Sequence, residues 1–493
     1  MIVSIALDLG TTSIKAGLLD QNGALNPIVA RPAPPITVSG GRYESDALAY
    51  AETAEHVLGE CRVHAGSHPP LGLCSQRSSF LIWEQASGQP VTPLISWQDS
   101  RGAASCEALQ ASEGLIHGLT GLRLTPYYFA PKLRIVFQDH PQWRAGLERG
   151  ELLAGTLDTF LIWRWTGGKH YLTDASMAAR TLLMDIRQRQ WSPALCDLFG
   201  IPPHILPSIK PSAGLNLRLN DGLALQASLA DQSAALIASV GEDSREALVN
   251  LGTGGFVVRY LPQEKSRRDG YLTTLVYQDS KLHTHVAVEG TLNSIAAALA
   301  PYPAAECRIE DLAADGMTRR CEASGAGMPS PRLLPQSAGC ASNVSEANDI
   351  FCLAEPSGIG APYFRSDLGL RFSQPVEHLA PRQIAGLLLE GIIFRVARIL
   401  EDFHRESALE RIYLSGGLSE LTCLQQGIAQ CVPFAVYRLR QKDSSLQGAA
   451  LLAAGMAPAY RREVERIPVT PIAKSLPEKY RRWKDWLDGL LDS

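Results

Sequence analysis

The chain has 493 residues, of which 45% are hydrophobic and 19% charged, and its formal net charge is -4. A single hydrophobic core rarely grows to this size, so the length predicts two major domains. Charge is not concentrated in long blocks of one sign, and no apolar run approaches the ~20 residues of a membrane helix, so nothing indicates a nucleic acid or a membrane as partner.

The N-terminal stretch MIVSIALDLG lacks the basic flank and the cleavage site of a signal peptide. The cysteines are scattered along the chain without a Cys-x-x-Cys pair. This pattern is typical of reduced thiols in a cytoplasmic enzyme rather than of a zinc site or a disulfide framework. We therefore expect a cytoplasmic location.

The first predicted element is a hairpin at the N-terminus. An apolar strand ends at Asp8-Leu9, turns through Gly10-Thr11-Thr12 and continues into a second strand that carries Lys15. A P-loop would lead into a helix, so this turn is a different device. Gly10 lets the backbone approach a phosphate, the turn can donate N–H and hydroxyl hydrogens, Lys15 adds a cation, and Asp8 could hold Mg²⁺ through water. The same pattern also suits an ordinary hairpin.

A similar arrangement begins near residue 247. A strand ends at Leu251, a Gly252-Thr253-Gly254 turn follows, and a second strand carries Phe256. The repeat of this plan in the second half of the chain indicates a duplicated domain. Later, a strand ends in Gly416-Gly417 before a helical segment, where a flat ring could lie against the backbone. The three turns together predict a nucleotide site.

This set of turns resembles the actin, hexokinase and Hsp70 class of nucleotide-binding folds. A longer match lies between the hairpins, and its motifs are similar in order and spacing to the FGGY carbohydrate kinases, most closely to the glycerol kinases among them. The segments that carry the resemblance are Gln76-Arg77, Trp97–Arg101, Thr120–Leu122, Tyr127, Lys132, Ala154–Trp163, Ala178–Thr181, Asp231–Leu236, Gly360–Tyr363 and Leu446–Ala450.

The resemblance implies an α/β fold with two domains of the ribonuclease-H/actin type and a nucleotide cleft between them. Residues 1–240 would bind the acceptor and supply the catalytic base, and residues 241–456 would bind ATP. Beyond the resemblance, the charged tail of residues 457–493, which carries Trp483 and Trp486, is predicted to form a docked helix. The implied activity is transfer of the γ-phosphoryl group of ATP, with Mg²⁺, to a hydroxyl of a small polyol or sugar. The resemblance is also compatible with a homodimer.

The resemblance assigns roles to individual residues. Asp231 would be the catalytic base, because a carboxylate can take the proton of the attacking hydroxyl, although an aspartate before an apolar helix is also a common N-cap. Asp8 would hold the metal. The implied acceptor site consists of Arg77, Ser78, Trp97, Tyr127, Asp231, Gln232 and Phe256. The implied ATP site consists of Gly10, Thr11, Thr12, Lys15, Gly252, Thr253, Gly254, Gly416 and Gly417.

The chain departs from the glycerol kinase pattern at several positions. Ser78 stands where a glutamate binds the polyol, Ala230 replaces a glycine, and Leu421 stands where an asparagine helps to hold adenine. Three alternatives remain, of which the first lies within the same class of kinases and the second in another class. A kinase of pentuloses or heptuloses commonly has Gly-Gln-Met-His where this chain has Ser75–Ser78, and an Hsp70-like ATP-driven switch would carry a peptide-binding domain after the ATPase. A regulatory member with weak catalysis is a third alternative.

Overall fold

The computed structural model describes residues 1–66, 68–261, 270–312, 349–469 and 476–493. The strands are β1 (Ile2–Leu9), β2 (Ser13–Asp20), β3 (Leu25–Pro32), β4 (Thr37–Ser39), β5 (Arg42–Ser45), β6 (Leu71–Ser75), β7 (Phe80–Glu84), β8 (Leu94–Ile95), β9 (Leu152–Thr156), β10 (Leu172–Asp174), β11 (Met184–Asp185), β12 (Gln190–Trp191), β13 (Ser208–Lys210), β14 (Ala213–Arg218), β15 (Ala224–Ala230), β16 (Glu246–Leu251), β17 (Gly255–Tyr260), β18 (Leu272–Gln278), β19 (Thr284–Leu292), β20 (Cys352–Leu353), β21 (Arg371–Phe372), β22 (Arg411–Ser415), β23 (Ala435–Leu439) and β24 (Val464–Arg466). The α-helices are α1 (Ala47–Arg62), α2 (Ala103–Ala108), α3 (Glu113–Thr120), α4 (Phe129–Asp139), α5 (Pro141–Glu148), α6 (Leu157–Trp165), α7 (Ala175–Ala178), α8 (Pro193–Phe199), α9 (Asp231–Ser239), α10 (Ile295–Leu299), α11 (Pro381–Glu406), α12 (Thr422–Cys431), α13 (Ser444–Ala453) and α14 (Leu476–Asp492).

The chain forms two compact units. Unit 1 consists of Met1–Glu246, Val258–Glu289 and Leu439–Val464, and unit 2 consists of Ala247–Val257, Gly290–Arg438 and Glu465–Ser493. The chain passes between the units inside β16, β17, β19, β23 and β24. The domain boundaries at residues 240 and 456 stay predictions of the sequence.

The central sheet of unit 1 has the strand order β14-β15-β6-β1-β2-β3. The apolar run of β1 is buried within it, and β1 pairs in parallel with β6, which pairs in parallel with β15. Helix α1 covers one face and begins at Asp46, whose carboxylate accepts hydrogen bonds from the backbone N–H groups of Leu48 and Ala49. Because β1, β6 and β15 are parallel, their carboxyl ends share one edge of the sheet.

Unit 2 contains β22, most of β16 and β23, and the long helix α11, most of which is buried. Helix α14 packs against α11 and α12. Trp483 of α14 is fully buried, and its Nε1–H donates to the carbonyl of Cys352 at 3.0 Å. Lys479 forms a buried ion pair with Glu390 of α11 at 2.5 Å. These contacts hold the C-terminal helix on unit 2.

No helix in the described ranges is both long and apolar enough to cross a membrane. Within the same ranges, no two cysteines are joined by a disulfide bond. Cys321 and Cys340 lie outside the described residues.

Candidate active site

Three segments with predicted roles meet at one edge of the unit 1 sheet. Leu9, the last residue of β1, is paired with Ser75 at the end of β6, and Ser75 is paired with Ala230 at the end of β15. The hairpin turn, the segment that begins at Gln76 and the start of α9 therefore follow adjacent strand ends. In open α/β sheets, ligands bind outside the carboxyl ends of the strands.

Asp231 is the first residue of α9 and stands beside Arg77. Its Oδ1 accepts the backbone N–H of Gln232 at 2.7 Å and lies 3.7 Å from Nε of Arg77. The side chains of Asp231 and Arg77 are 23% and 24% exposed, so a ligand can reach both. Burial raises the pKa of Asp231 above its usual range, and the charge of Arg77 partly offsets this effect. The carboxylate is thus accessible and more basic than an ordinary aspartate.

Asp8 lies on β1, next to the N-terminal end of α13. Its Oδ2 accepts a hydrogen bond of 2.6 Å from the hydroxyl of Ser445. Its Oδ1 is buried and has no hydrogen-bond partner among the described residues. Burial raises the pKa of Asp8 to about 6, while the Ser445 hydrogen bond lowers it.

The surroundings of Asp8 bear on Mg²⁺ binding. A buried carboxylate oxygen that lacks a donor suits a cation or a water bound to one. The part of the chain that the structure describes contains no cluster of three or more His, Cys, Asp or Glu side chains placed to hold a metal. Oδ1 of Asp8 therefore fits a magnesium ion that is bound through water.

The turn of the β1–β2 hairpin is held by contacts from several directions. A Cβ on Gly10 would lie 2.7 Å from the carbonyl oxygen of Ser13, so only glycine fits the turn as it stands. The carbonyl of Gly10 accepts a hydrogen bond from the Tyr50 hydroxyl at 2.7 Å. Thr11 Oγ1 accepts from Nε1 of Trp97 at 2.9 Å, and Thr12 is exposed. The hairpin turn is thus hydrogen-bonded directly to Trp97, which is predicted to bind the acceptor substrate.

Lys15 does not stand free beside the turn. Its Nζ lies 2.5 Å from Oδ1 of Asp443, and the side chains are 32% and 20% exposed. The ammonium charge is therefore already balanced by a carboxylate in this structure, which the local sequence around Lys15 did not indicate.

Two aromatic side chains among the predicted acceptor residues form an exposed pair. Trp97 and Tyr127 are 38% and 50% exposed, and their ring centroids are 6.4 Å apart. Large exposed rings near polar groups are common where a protein packs the carbon face of a sugar. Gln232, on α9, is also exposed.

Ser78 is placed differently from these residues. It is only 6% exposed, has a φ of +62°, and donates its hydroxyl to the carbonyl of Arg180 at 2.9 Å. The hydroxyl is thus engaged by the backbone in this structure. A longer side chain at this position would have to break that contact.

Sequence reasoning missed the role of Lys132, which it noted only as part of a family motif. Lys132 is fully buried on α4, and its Nζ donates to the carbonyls of Ser78 and Ser96 at 2.8 Å each. It thereby ties together the segments that carry Arg77 and Trp97. A lysine inside the apolar run Phe129–Leu133 was the available signal, because lysine is almost never fully buried without partners.

A second missed contact is the ion pair between Arg180 and Glu289. Arg180 Nη2 lies 2.9 Å from Oε2 of Glu289, and both side chains are buried. The charge of Arg180 lowers the pKa of Arg77, after the larger effect of burial, and also favours the ionised form of Asp231. The pair therefore adds to the electrostatic field around Asp231.

The remaining predicted residues lie in unit 2. β16 and β17 flank the Gly252–Gly254 turn, where the N–H of Gly252 donates to the carbonyl of Gly254 at 2.8 Å. Gly416 has a φ of +87°, and a Cβ there would lie 2.4 Å from the carbonyl oxygen of Leu251. The double glycine thus allows the end of β22 to approach the end of β16 closely. Phe256, on β17, is 36% exposed.

Strands with helices in both units, and glycine-rich turns at strand ends, are features of the actin-like ATPase fold. Solved structures with this fold match the whole chain. They include a glycerol kinase of Plasmodium falciparum with ADP, at a TM-score of 0.79 and 20% identity over 99% of this chain and 98% of that one. They also include a xylulose kinase of Rhodospirillum rubrum, at a TM-score of 0.76 and 17% identity over 99% of this chain and 100% of that one.

Family models and relatives define the class further. The N-terminal domain of the FGGY family of carbohydrate kinases matches residues 3–249, and the C-terminal domain matches residues 247–457. The chain is 30% identical to a glycerol kinase of Polaromonas sp., with 94% of this chain and 92% of that protein covered. It is also 30% identical to an apulose kinase of Pectobacterium atrosepticum, with coverages of 98% and 97%. The chain belongs to the FGGY family of carbohydrate kinases, which are ATP-dependent phosphotransferases.

Proposed function

We propose that this kinase phosphorylates a hydroxyl of a small polyol or sugar, with Asp231 as the general base. The observation that carries the proposal is the placement of Asp231: it follows a central parallel strand, is about a quarter exposed and stands 3.7 Å from Arg77. A sugar hydroxyl is a weak nucleophile at neutral pH, and a carboxylate within hydrogen-bond reach can take its proton as the phosphoryl group is transferred.

The other residues of unit 1 supply binding. Trp97 and Tyr127 present ring faces that can pack on the carbon side of the acceptor, while Arg77 and Gln232 can hold its hydroxyls. A bound acceptor positioned by such contacts needs only a small further motion to react. Ser78 would affect acceptor binding mainly through the space that its small, buried side chain leaves open.

The phosphate groups of ATP would be held by the turn of Gly10, Thr11 and Thr12. Asp8 would hold Mg²⁺ through water with its unpartnered Oδ1. The magnesium ion would neutralise charge on the transferred phosphoryl group. The binding roles of Lys15, Gly252, Thr253, Gly254, Phe256, Gly416 and Gly417 stay predictions of the sequence, as do a cytoplasmic location and a homodimer.

The acceptor itself is proposed to be longer than glycerol, with four to seven carbons. Ser78 replaces the glutamate that the glycerol kinase pattern places here, which shortens the side chain and removes a charged acceptor of hydrogen bonds. The similarity to an apulose kinase over nearly the whole chain supports a ketose as the second candidate.

An ADP-release assay over polyols, ketoses and aldoses of three to seven carbons tests this proposal. We expect wild type to prefer a longer acceptor, and Ser78→Glu to raise kcat/KM for glycerol and lower it for the preferred acceptor by about tenfold or more, the value of one charge-assisted contact. Ser78→Gln, which has the length of glutamate without its charge, is the matched control. If wild type prefers glycerol over every longer acceptor, and Ser78→Glu does not raise kcat/KM for glycerol, the proposal of a longer acceptor fails and glycerol is the acceptor.

A further inference from the structure

The N-terminal end of α13 touches both strands of the β1–β2 hairpin. The Ser445 hydroxyl donates to Oδ2 of Asp8 on β1 at 2.6 Å, and Asp443 pairs with Lys15 on β2 at 2.5 Å. Ser445 and Asp8 are separated by 437 positions along the chain. A segment from the far end of the sequence thus contacts the residues on either side of the predicted phosphate-binding turn.

Close packing fixes α13 in this position. A Cβ on Gly448 would lie 1.8 Å from the carbonyl oxygen of Ala234, so α13 meets the backbone of α9, the helix that begins with Asp231. A Cβ on Gly72 would lie 2.2 Å from the carbonyl oxygen of Ala449, so α13 also meets β6 directly. Backbone packed this closely cannot shift without displacing its neighbours. The position of the Ser445 hydroxyl is therefore set by the same sheet and helix that set Asp8 and Asp231.

We infer that Ser445 is a positioning residue for the metal: it occupies Oδ2 of Asp8 and so directs Oδ1 to the water shell of a divalent cation. This inference rests on the proposed function of Asp8. It extends that function by naming the residue that selects which carboxylate oxygen serves the cation.

The physical reason lies in the two unequal oxygens of Asp8. A carboxylate can turn about its Cβ–Cγ bond, and the short hydrogen bond from Ser445 favours the orientation that keeps Oδ2 on the hydroxyl. Oδ1 is buried without a partner in the described residues, which is costly unless a ligand completes it. Without the Ser445 hydroxyl, Oδ2 would lose its donor and would compete with Oδ1 for the same cation-bound water, and Cys74 would be left as the other side chain that hydrogen-bonds the carboxyl.

Manganese binding in the absence of turnover tests the inference. Mn²⁺ is titrated into the full-length enzyme with ADP and without acceptor, and free Mn²⁺ is measured by electron paramagnetic resonance. Ser445→Ala is expected to weaken Mn²⁺ binding about tenfold, because one charge-assisted hydrogen bond is lost. Ser445→Thr keeps the hydroxyl and should restore wild-type affinity. Ser444→Ala, which removes a hydroxyl one residue earlier in the same helix, should bind as wild type does.

Further measurements separate this role from a merely structural one. In steady state, Ser445→Ala should raise the KM for Mg·ATP while the KM for the acceptor stays within about twofold, and Ser445→Thr should return the KM for Mg·ATP to the wild-type value. Equal Mn²⁺ affinity in Ser445→Ala and wild type would overturn the inference. If Asp8→Asn abolishes Mn²⁺ binding in that case, the proposed role of Asp8 stands and only the role of Ser445 fails. If Asp8→Asn also binds as wild type does, both fail.

Discussion

The substitution Asp231→Asn tests the assignment of the base with little disturbance of the fold. Asparagine keeps an oxygen that can accept the N–H of Gln232, now at 2.7 Å. It removes the negative charge that lies 3.7 Å from Arg77. Unit charges about 4 Å apart attract by about 4 kcal/mol at an effective dielectric constant of 20. Because both side chains are partly exposed, solvent screening reduces the measurable contribution to about 0.2–1 kcal/mol.

The expected loss of turnover is much larger than that loss of stability. A general base typically contributes about 10²–10⁴-fold to the rate, which corresponds to about 2.7–5.4 kcal/mol of activation free energy. The melting temperature should fall by no more than ~4 °C, since about 1 kcal/mol shifts a large domain by about 2–4 °C. Affinity for ADP should be unchanged, because the substitution leaves the hairpin turn intact.

The assay combines ADP release at saturating acceptor with calorimetric titration of ADP and a thermal melt of the same preparation. The pH dependence adds a second readout. Burial raises the pKa of Asp231 in the free enzyme, and the base acts only when ionised, so wild-type kcat/KM for the acceptor should rise with pH through that raised pKa. In Asp231→Asn this limb should be absent. Wild-type turnover in a folded Asp231→Asn enzyme, or a rate loss matched by an equal loss of ADP affinity, would refute the assignment.

The surroundings of Gly10, Gly252 and Lys132 give three further predictions. Gly10→Val should weaken ATP binding and lower the melting temperature, because a Cβ there would lie 2.7 Å from a backbone carbonyl oxygen. Gly252→Val should weaken ATP binding with little loss of stability, because the atom nearest to a Cβ there is 3.9 Å away. Calorimetry with ATP and with acceptor checks both, and unchanged ATP affinity in the two variants would contradict the phosphate-turn model. Lys132→Met should raise the KM for the acceptor more than that for ATP, because the segments that it ties together carry acceptor residues. Burial lowers the pKa of Lys132 from 10.5 to about 7, so the unfolded chain binds more protons than the folded chain between these pH values. The free energy of unfolding of wild type should therefore rise relative to that of Lys132→Met as the pH increases from 7 to 10.5. Chemical denaturation of both proteins at several pH values measures this difference.

The strand and turn pattern of the sequence was sufficient to locate several parts of the candidate site. The apolar run before Gly10 and the run before Gly252 form strands, and each glycine turn lies where predicted. The position of Asp231 at the start of a helix was also predictable from an aspartate that precedes an apolar segment. Such features depend on residues within one or two turns of chain, and local propensity and hydrophobic period decide them.

The membership in the FGGY family was likewise predictable, because its motifs recur in order along nearly the whole chain, and the comparisons confirm it. The sequence could not indicate the partner of Lys15, since Asp443 lies 428 positions away. Nor could it show that Ser78 donates to the carbonyl of Arg180, or that Lys132 spans two loops.

Local pattern by itself indicated the strands and glycine turns of the two hairpins, the strand that ends before Gly416 and the helix that begins at Asp231. Only the tertiary structure decided which oxygen of Asp8 is engaged, by Ser445 from 437 positions along the chain. The physical reason is range. Strand and turn formation depends on backbone geometry over a few residues, whereas a hydrogen bond between remote side chains requires that sheet order and helix packing first bring their atoms within about 3 Å.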